Sequence, residues 1–195
     1  MQQNNGSMKV WMIFLCLVGL TAVAQNPCEL DADVNDTSGT YKSTKDYLMY
    51  ERNFGGTATT IHFSTAVTDG LPTLMVQLIS KSKDFIKADC LDGNSRLYLQ
   101  LNNGKIISMI HFNQEKCGSS VRDEKGNNVR ILQGIFLFVK DTFDDLEKSG
   151  ISLMRIKYAT GTVDYIIKSE LNSETDGKKY NPETYFMKVL PCLSL

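Results

Sequence analysis

One stretch of this chain, from Arg96 to Phe112, restricts the fold more than any other. Asn103 and Gly104 lie near its middle, and an Asn-Gly dipeptide readily supplies the two positive-φ residues of a type I′ turn. Runs of leucine, isoleucine and other strand-forming residues flank the dipeptide on both sides. The stretch therefore predicts a β-hairpin with Asn103 and Gly104 as its two loop residues.

The register of this hairpin sorts its side chains into two faces, because successive strand residues point to opposite sides. The predicted core face carries Leu97, Leu99, Leu101, Ile106 and Ile110. The predicted outer face carries Arg96, Tyr98, Ile107, Met109 and His111. Aromatic, flexible apolar and guanidinium groups together are typical of a recognition surface, so this outer face is the candidate binding site. Alternatively, Tyr98 and Met109 form a cross-strand pair that packs beneath a second layer of the domain.

A second turn dipeptide, Asp69-Gly70, predicts another hairpin between the strand-like runs on either side of it. Pairing about this turn places Phe63 opposite Val76, on a face that is mostly apolar. The opposite face has a mixed composition, which suits contact with solvent.

A third hairpin is predicted about Thr160-Gly161. Pairing about this turn places Lys157 opposite Asp164, as two opposite charges on the outer side of the sheet.

Residues 129–139 carry apolar side chains at both odd-numbered and even-numbered positions, which is typical of a central strand covered on both faces. Gly134 interrupts this run and predicts a β-bulge. Two short helices are predicted as well. One spans residues 142–149, with acids in its first turn, and the other spans residues 182–190 and ends near Pro191.

Three hairpins, one central strand and two short helices predict a mainly β fold, built as an antiparallel sandwich-like domain. An α+β sheet with both helices on one side and a closed barrel are the alternatives.

Composition favours an ordinary globular protein, since 42% of the 195 residues are hydrophobic and 22% are charged. Lys and Arg number 21 against 22 Asp and Glu, so no excess of positive charge exists to neutralise a phosphate backbone. We expect one domain over residues 25–195 and no nucleic-acid partner.

The N-terminus has the pattern of an export signal over residues 1–24. Lys9 precedes an apolar run, and Ala22-Val23-Ala24 supplies the small residues that signal peptidase requires. Met8 is an alternative start, because Met8-Lys9 begins a more typical signal. We therefore expect a secreted or periplasmic protein with no membrane span after cleavage.

Four cysteines remain after residue 24, and an even count in an oxidising compartment predicts two disulfides. Cys90 and Cys117 lie equally far from the Asn103-Gly104 turn, so the hairpin brings them together. Cys28 and Cys192 would then form the second bridge.

The acidic segment near the mature N-terminus has one metal-like feature, the alternating oxygens of Asp31, Asp33, Asn35 and Asp36. Calcium prefers several hard oxygens on a turning backbone. The segment departs from an EF-hand loop, which needs glycine where Asp36 stands and glutamate where Lys42 stands. A solvated acidic loop is the simpler interpretation, and no metal or other cofactor is predicted.

Candidates for catalysis are few, since His62 and His111 are the only histidines. Neither belongs to a zinc-binding spacing, and no nucleophile elbow or phosphate-binding loop is present. The sequence therefore favours a non-catalytic binding or structural domain, a monomer or weak oligomer, that recognises an unknown protein or surface ligand. A small-ligand carrier with a barrel-like cavity is the first alternative, and a hydrolase the second.

Overall fold

The computed structural model describes residues 29–112, 115–139 and 142–193. The predicted signal peptide over residues 1–24 and the predicted partner of Cys192, Cys28, lie outside the described residues.

The described chain is mainly β and antiparallel, as predicted. Its first strands are β1 Leu30–Asp36, β2 Gly39–Thr44, β3 Tyr47–Phe54, β4 Thr57–Thr68, β5 Leu71–Ser82, β6 Cys90–Leu91, β7 Arg96–Leu101 and β8 Ile106–Phe112. The later strands are β9 Lys116–Cys117, β10 Ser119–Arg122, β11 Asn128–Phe138, β12 Ile151–Tyr158, β13 Gly161–Ile166, β14 Leu171–Asn172 and β15 Lys179–Tyr180. The helices are α1 Phe143–Lys148, a 3-10 turn over Pro182–Thr184, and α2 Tyr185–Leu193.

One sheet dominates the architecture, with strands in the order β1, β2, β4, β5, β11, β8, β7, β12, β13. Strand β3 pairs with β4, and β10 pairs with β11. This sheet curls on itself, because Ile156 and Tyr158 of β12 meet Val76 of β5 and Phe136 of β11 across the core. Its two halves therefore face each other, which gives the sandwich-like arrangement expected from the sequence.

The space between the two halves is filled by side chains. Helix α2 contributes Tyr185 and Phe186, which pack against Phe63 of β4, and α1 contributes Leu146. The core space where β5, β11 and β12 meet has a volume of only about 10 Å³. A small-molecule site needs roughly 300 Å³ or more, so this space holds no ligand.

The hairpin about Asp69-Gly70 has the predicted register, with Phe63 opposite Val76. Both turn residues have positive φ, 48° at Asp69 and 79° at Gly70, as a type I′ turn requires.

The register predicted for the hairpin about Asn103-Gly104 is wrong by one residue. Leu97 lies opposite Met109 instead of Ile110, and Leu99 lies opposite Ile107. A shift of one residue moves every side chain of β8 to the other face. Ile107, Met109 and His111 therefore lie in the core, whereas Ile106 and Ile110 are exposed.

The loop of this hairpin explains the shift. The Leu101 amide donates to the Lys105 carbonyl, and the Leu101 carbonyl accepts a hydrogen bond from the Gly104 amide. Residues 102–104 therefore form a three-residue loop. Only Gly104 has positive φ, 86°, as in a type I turn followed by a one-residue bulge. The Asn102 amide donates to the Gly150 carbonyl at 2.8 Å, so the wider loop is fixed by a contact with a distant segment.

The hairpin about residues 160–161 is shifted by two residues from its prediction. Asp164 lies opposite Arg155 instead of Lys157, and both Nε and Nη2 of Arg155 donate to its carboxylate at 2.6 Å. A shift of two residues preserves the faces, so the alternation of inner and outer residues is unchanged.

Strand β11 is central, between β5 on one side and β8 and β10 on the other. Two details of its prediction are wrong. Gly134 pairs regularly with Val76, without a bulge. The strand is also covered on one face only, since Phe136 is buried but Ile135 is 38% exposed.

The two predicted helices are present, with corrected bounds. The second begins as a 3-10 turn at Pro182 and continues through Pro191 to Leu193, so Cys192 lies inside it. Proline is tolerated there because it removes only one backbone hydrogen bond in the last turn.

Candidate functional site

Five apolar side chains form a surface on the outer side of the sheet, at the centre of its width. They lie on the adjacent strands β5, β11 and β8, and we call them the outer patch: Met75, Ile110, Phe112, Ile135 and Leu137. Ile135 lies directly opposite both Met75 and Phe112, so these three form one row across the sheet. Leu137 and Ile110 form the adjacent row.

The outer patch is open to solvent. The exposed fraction is 49% for Phe112, 43% for Ile110, 38% for Ile135 and 37% for Met75. Scattered apolar residues are normal on a protein surface, but a continuous group across three strands is typical of an interaction site.

Two cations border this surface. The row of Ile110 continues to Arg96 on β7 and then to Lys157 on β12. Arg96 donates from Nη1 to the carbonyls of Gly93 and Ser95, which fixes its position at the edge of the outer patch. Within the described ranges, neither cation forms an ion pair.

Lys157 interacts electrostatically with the Asp92 carboxylate, although the two form no ion pair. Hydrogen bonds from the Ser95 hydroxyl and from the amides of Asn94 and Ser95 lower the pKa of Asp92, and Lys157 adds to this effect. The Asp92 carboxylate is thus held by its own turn, and the Lys157 ammonium remains exposed to solvent.

The predicted binding face is only partly brought together. Arg96 and Tyr98 lie on the outer side of the sheet, half-buried. Ile107, Met109 and His111 lie in the core, so they cannot form a surface. A signal for the actual surface was present in the sequence, since the apolar residues at both parities of 129–139 include Ile135 and Leu137.

The two histidines have separate environments. His111 is buried, with Nδ1 3.0 Å from the Asp92 carbonyl and its ring 5.4 Å from that of Phe136, so it supports the core. His62 is half-buried on β4, and its Nδ1 is the buried side-chain atom without a hydrogen-bond partner in the described part of the chain. Burial lowers the pKa of His62, and the nearby carboxylates of Asp46 and Asp176 oppose this effect.

The acidic segment is neither a calcium loop nor a solvated loop, because its residues lie on strand β1, which pairs with β2 and has one register shift between Leu30 and Ala32. Alternate residues of a strand are separated by about 6.6 Å, so their oxygens do not converge on one ion. Asp33 lies 3.6 Å from Lys42 Nζ, and Asp36 accepts the Ser38 amide. In the described ranges, the residues that group closely enough for a metal are Cys90, Glu115 and Cys117, and the two cysteines are joined in a disulfide.

The Cys90–Cys117 disulfide is confirmed, with the two residues opposite each other in β6 and β9. The predicted pairing is right although the hairpin register differs by one residue, because residues 92–95 lie outside any strand and separate β6 from β7. The predicted Cys28–Cys192 bridge stays a prediction.

An open cleft of about 690 Å³ lies between residues 44–47, β15 and one face of α2. Lys45 and Lys179 are paired with Glu29 and Glu170, at 3.9 and 2.6 Å. The lining also carries Lys178 and Lys188 against one further acid, Asp46, so lysines outnumber acids in this cleft.

In the part of the chain that the structure describes, no helix has the length and apolar character needed to cross a membrane. No family model, curated protein or solved structure matches this chain.

Proposed function

We propose that this protein is an exported, non-catalytic binding protein that holds a partner protein on its outer patch. The observation that carries the proposal is the continuity of exposed apolar side chains across β5, β11 and β8, in the middle of a sheet whose other side is fully packed. Exposure of this kind opposes solubility unless a partner covers it.

The border of the outer patch indicates the chemistry of the partner. Arg96 and Lys157 adjoin one side of the apolar rows. A complementary protein surface would present apolar side chains at its centre and carboxylates opposite these two cations. Acidic partners would be recruited faster at low ionic strength, because exposed charges steer association.

Two features support export. The sequence pattern of residues 1–24 is that of a signal peptide, and the Cys90–Cys117 disulfide is compatible with an oxidising compartment. A catalytic role has less support, since His111 is enclosed in the core and Nδ1 of His62 has no hydrogen-bond partner within the described residues.

The test replaces two patch residues with a polar residue that suits a strand, in the variant I110T/F112T. The matched control V163T/I166T changes two exposed apolar residues of β13, outside the outer patch. Proteins captured from the native exported fraction are compared among wild type, variant and control, and the dissociation constant is then measured with the purified captured protein.

We expect the control to bind like wild type and the patch variant to bind at least about 30-fold more weakly, since truncating central apolar contacts typically costs 2 kcal/mol or more. Unfolding curves verify that both variants remain folded. Equal affinity of the patch variant and wild type would exclude this surface as the binding site.

A further inference from the structure

A second unusual surface lies at one end of the sheet, about 25 Å along β11 from the outer patch. Three loops meet there, namely the β3–β4 turn at residues 55–56 and the segments 83–89 and 123–127. The Ser82 hydroxyl, at the end of β5, donates to the Gly56 carbonyl at 3.2 Å and joins the first two loops. We call this region the loop end.

Two phenylalanines project from the loop end into solvent. The exposed fraction is 85% for Phe85 and 72% for Phe54. Phenylalanine is among the residues most often buried in soluble proteins, so such exposure on two neighbouring loops needs an explanation.

The backbone around Phe85 is fixed in place. Asn128 Nδ2 donates to the carbonyls of both residues that precede Phe85, at 3.2 and 3.0 Å. Arg130 Nε donates to the carbonyl of the residue that follows it, at 3.0 Å. Because β11 holds the loop on both sides, the exposed ring of Phe85 is displayed by an ordered segment.

The position of Phe54 is also set by its turn. Gly55 and Gly56 follow it with φ of 57° and 75°, which makes a tight hairpin turn. The guanidinium carbon of Arg52 lies 4.8 Å from the centre of the Phe54 ring, in a cation–π contact. A cation and an aromatic ring are therefore presented together.

Charge is distributed unevenly between the two ends of the sheet. The exposed cations of the loop end, apart from Lys81 in its ion pair with Asp123, are Arg52, Lys83, Lys87, Arg122 and Lys125. The remaining acids there are Asp84, Asp89 and Glu124, together with Glu51 beside Arg52 and Glu174, which accepts a hydrogen bond from Asn53 at 2.6 Å. Among the described residues, the opposite end, around the turns at 69–70 and 102–104, carries the acids Asp36, Asp69, Asp144, Asp145 and Glu147 against Lys105 and Lys148.

We propose that the loop end docks on an anionic lipid bilayer. Phe54 and Phe85 would enter the interfacial region, where aromatic side chains are favoured, while the surrounding cations contact anionic headgroups. The acidic end of the sheet points away from the bilayer, so the charge asymmetry also sets the orientation.

The test uses the mature chain and sedimented vesicles of two compositions, phosphatidylcholine alone and phosphatidylcholine with 30% phosphatidylserine. Variant F54S/F85S removes both rings, and K83Q/K87Q removes two cations. The matched control is I166S, since Ile166 is also 72% exposed but lies on β13.

We expect wild type and I166S to bind the phosphatidylserine vesicles, and F54S/F85S to bind them at least tenfold more weakly. K83Q/K87Q should bind the phosphatidylserine vesicles at least about tenfold more weakly than wild type, and high salt should weaken wild-type binding. The patch variant I110T/F112T should bind vesicles like wild type, which separates this surface from the outer patch. Absence of wild-type binding, or unchanged binding by F54S/F85S, would overturn the proposal, and the loop end would then be assigned to a protein contact.

Discussion

Gly134 lies on the inner face of β11, at a point that has no room for a larger side chain. A Cβ added there would lie 2.3 Å from Leu91 Cδ1 and 3.3 Å from Phe136 Cε2. Its φ is not in the left-handed region, so the reason for glycine is space and not backbone conformation. The sequence showed only that a glycine interrupts an apolar run, and the neighbour that requires it, Leu91, is 43 positions away.

We expect Gly134→Ala to lower the free energy of unfolding by about 1–3 kcal/mol, the usual cost of overpacking a core. Gly93→Ala is the control, since an added Cβ at Gly93 meets nothing within 4 Å. Chemical unfolding of both variants measures the difference. The cost of Gly134→Ala should fall in a Leu91→Ala background, and an equal cost in both backgrounds would refute the contact.

His62 should make stability depend on pH. Burial lowers its pKa below the usual 6.5, whereas in the unfolded chain it takes up a proton at the ordinary value. As pH falls from 7 through 6.5, the unfolded state therefore binds more protons, and the free energy of unfolding decreases until the folded-state pKa is passed. His62→Gln should flatten this part of the stability profile, measured by denaturant unfolding from pH 7.5 to 5. Identical slopes for wild type and H62Q would contradict the assignment.

At the scale of elements, the turn residues predicted the positions of the hairpins more accurately than their registers. Asp69-Gly70 follows its local preference because both residues have positive φ. Asn103-Gly104 does not, since the Asn103 amide donates to the Ser149 hydroxyl and Asn102 to Gly150. These contacts come from a segment far away in sequence, so no local pattern could reveal the three-residue loop.

The Cys90–Cys117 disulfide joins two short strands, β6 and β9, that have little other pairing. It closes a loop with a sequence separation of 27, so C90S/C117S should lower the free energy of unfolding by about 3 kcal/mol. The single variants C90S and C117S should each cost about as much as the pair, because either one removes the same bond. A loss below about 1 kcal/mol in chemical unfolding would show that other contacts hold this segment.

For the whole molecule, composition and hairpin patterns were enough to predict a mainly β, antiparallel, sandwich-like fold. They could not predict the strand order, because the neighbours of β11 include β5, about fifty residues earlier in the chain, and β8. The candidate site was likewise predictable only in part. Apolar residues at both odd and even positions of β11 indicated that both faces of this strand make contacts. The residues of β8 that share the outer face could not be predicted, because the register of β8 is set by tertiary contacts.

The curl of the sheet brings its far strand β13 close to β3, where the Tyr50 and Tyr165 rings meet edge to face at 5.1 Å. Among the described residues no backbone ladder joins β3 to β13. The contact between these two strands is made by side chains, so separating them breaks no strand pairing. In local opening of the native state, β3 and β13 should therefore separate between Tyr50 and Tyr165. Water would then reach one side of the core while the paired strands of the sheet stay hydrogen-bonded.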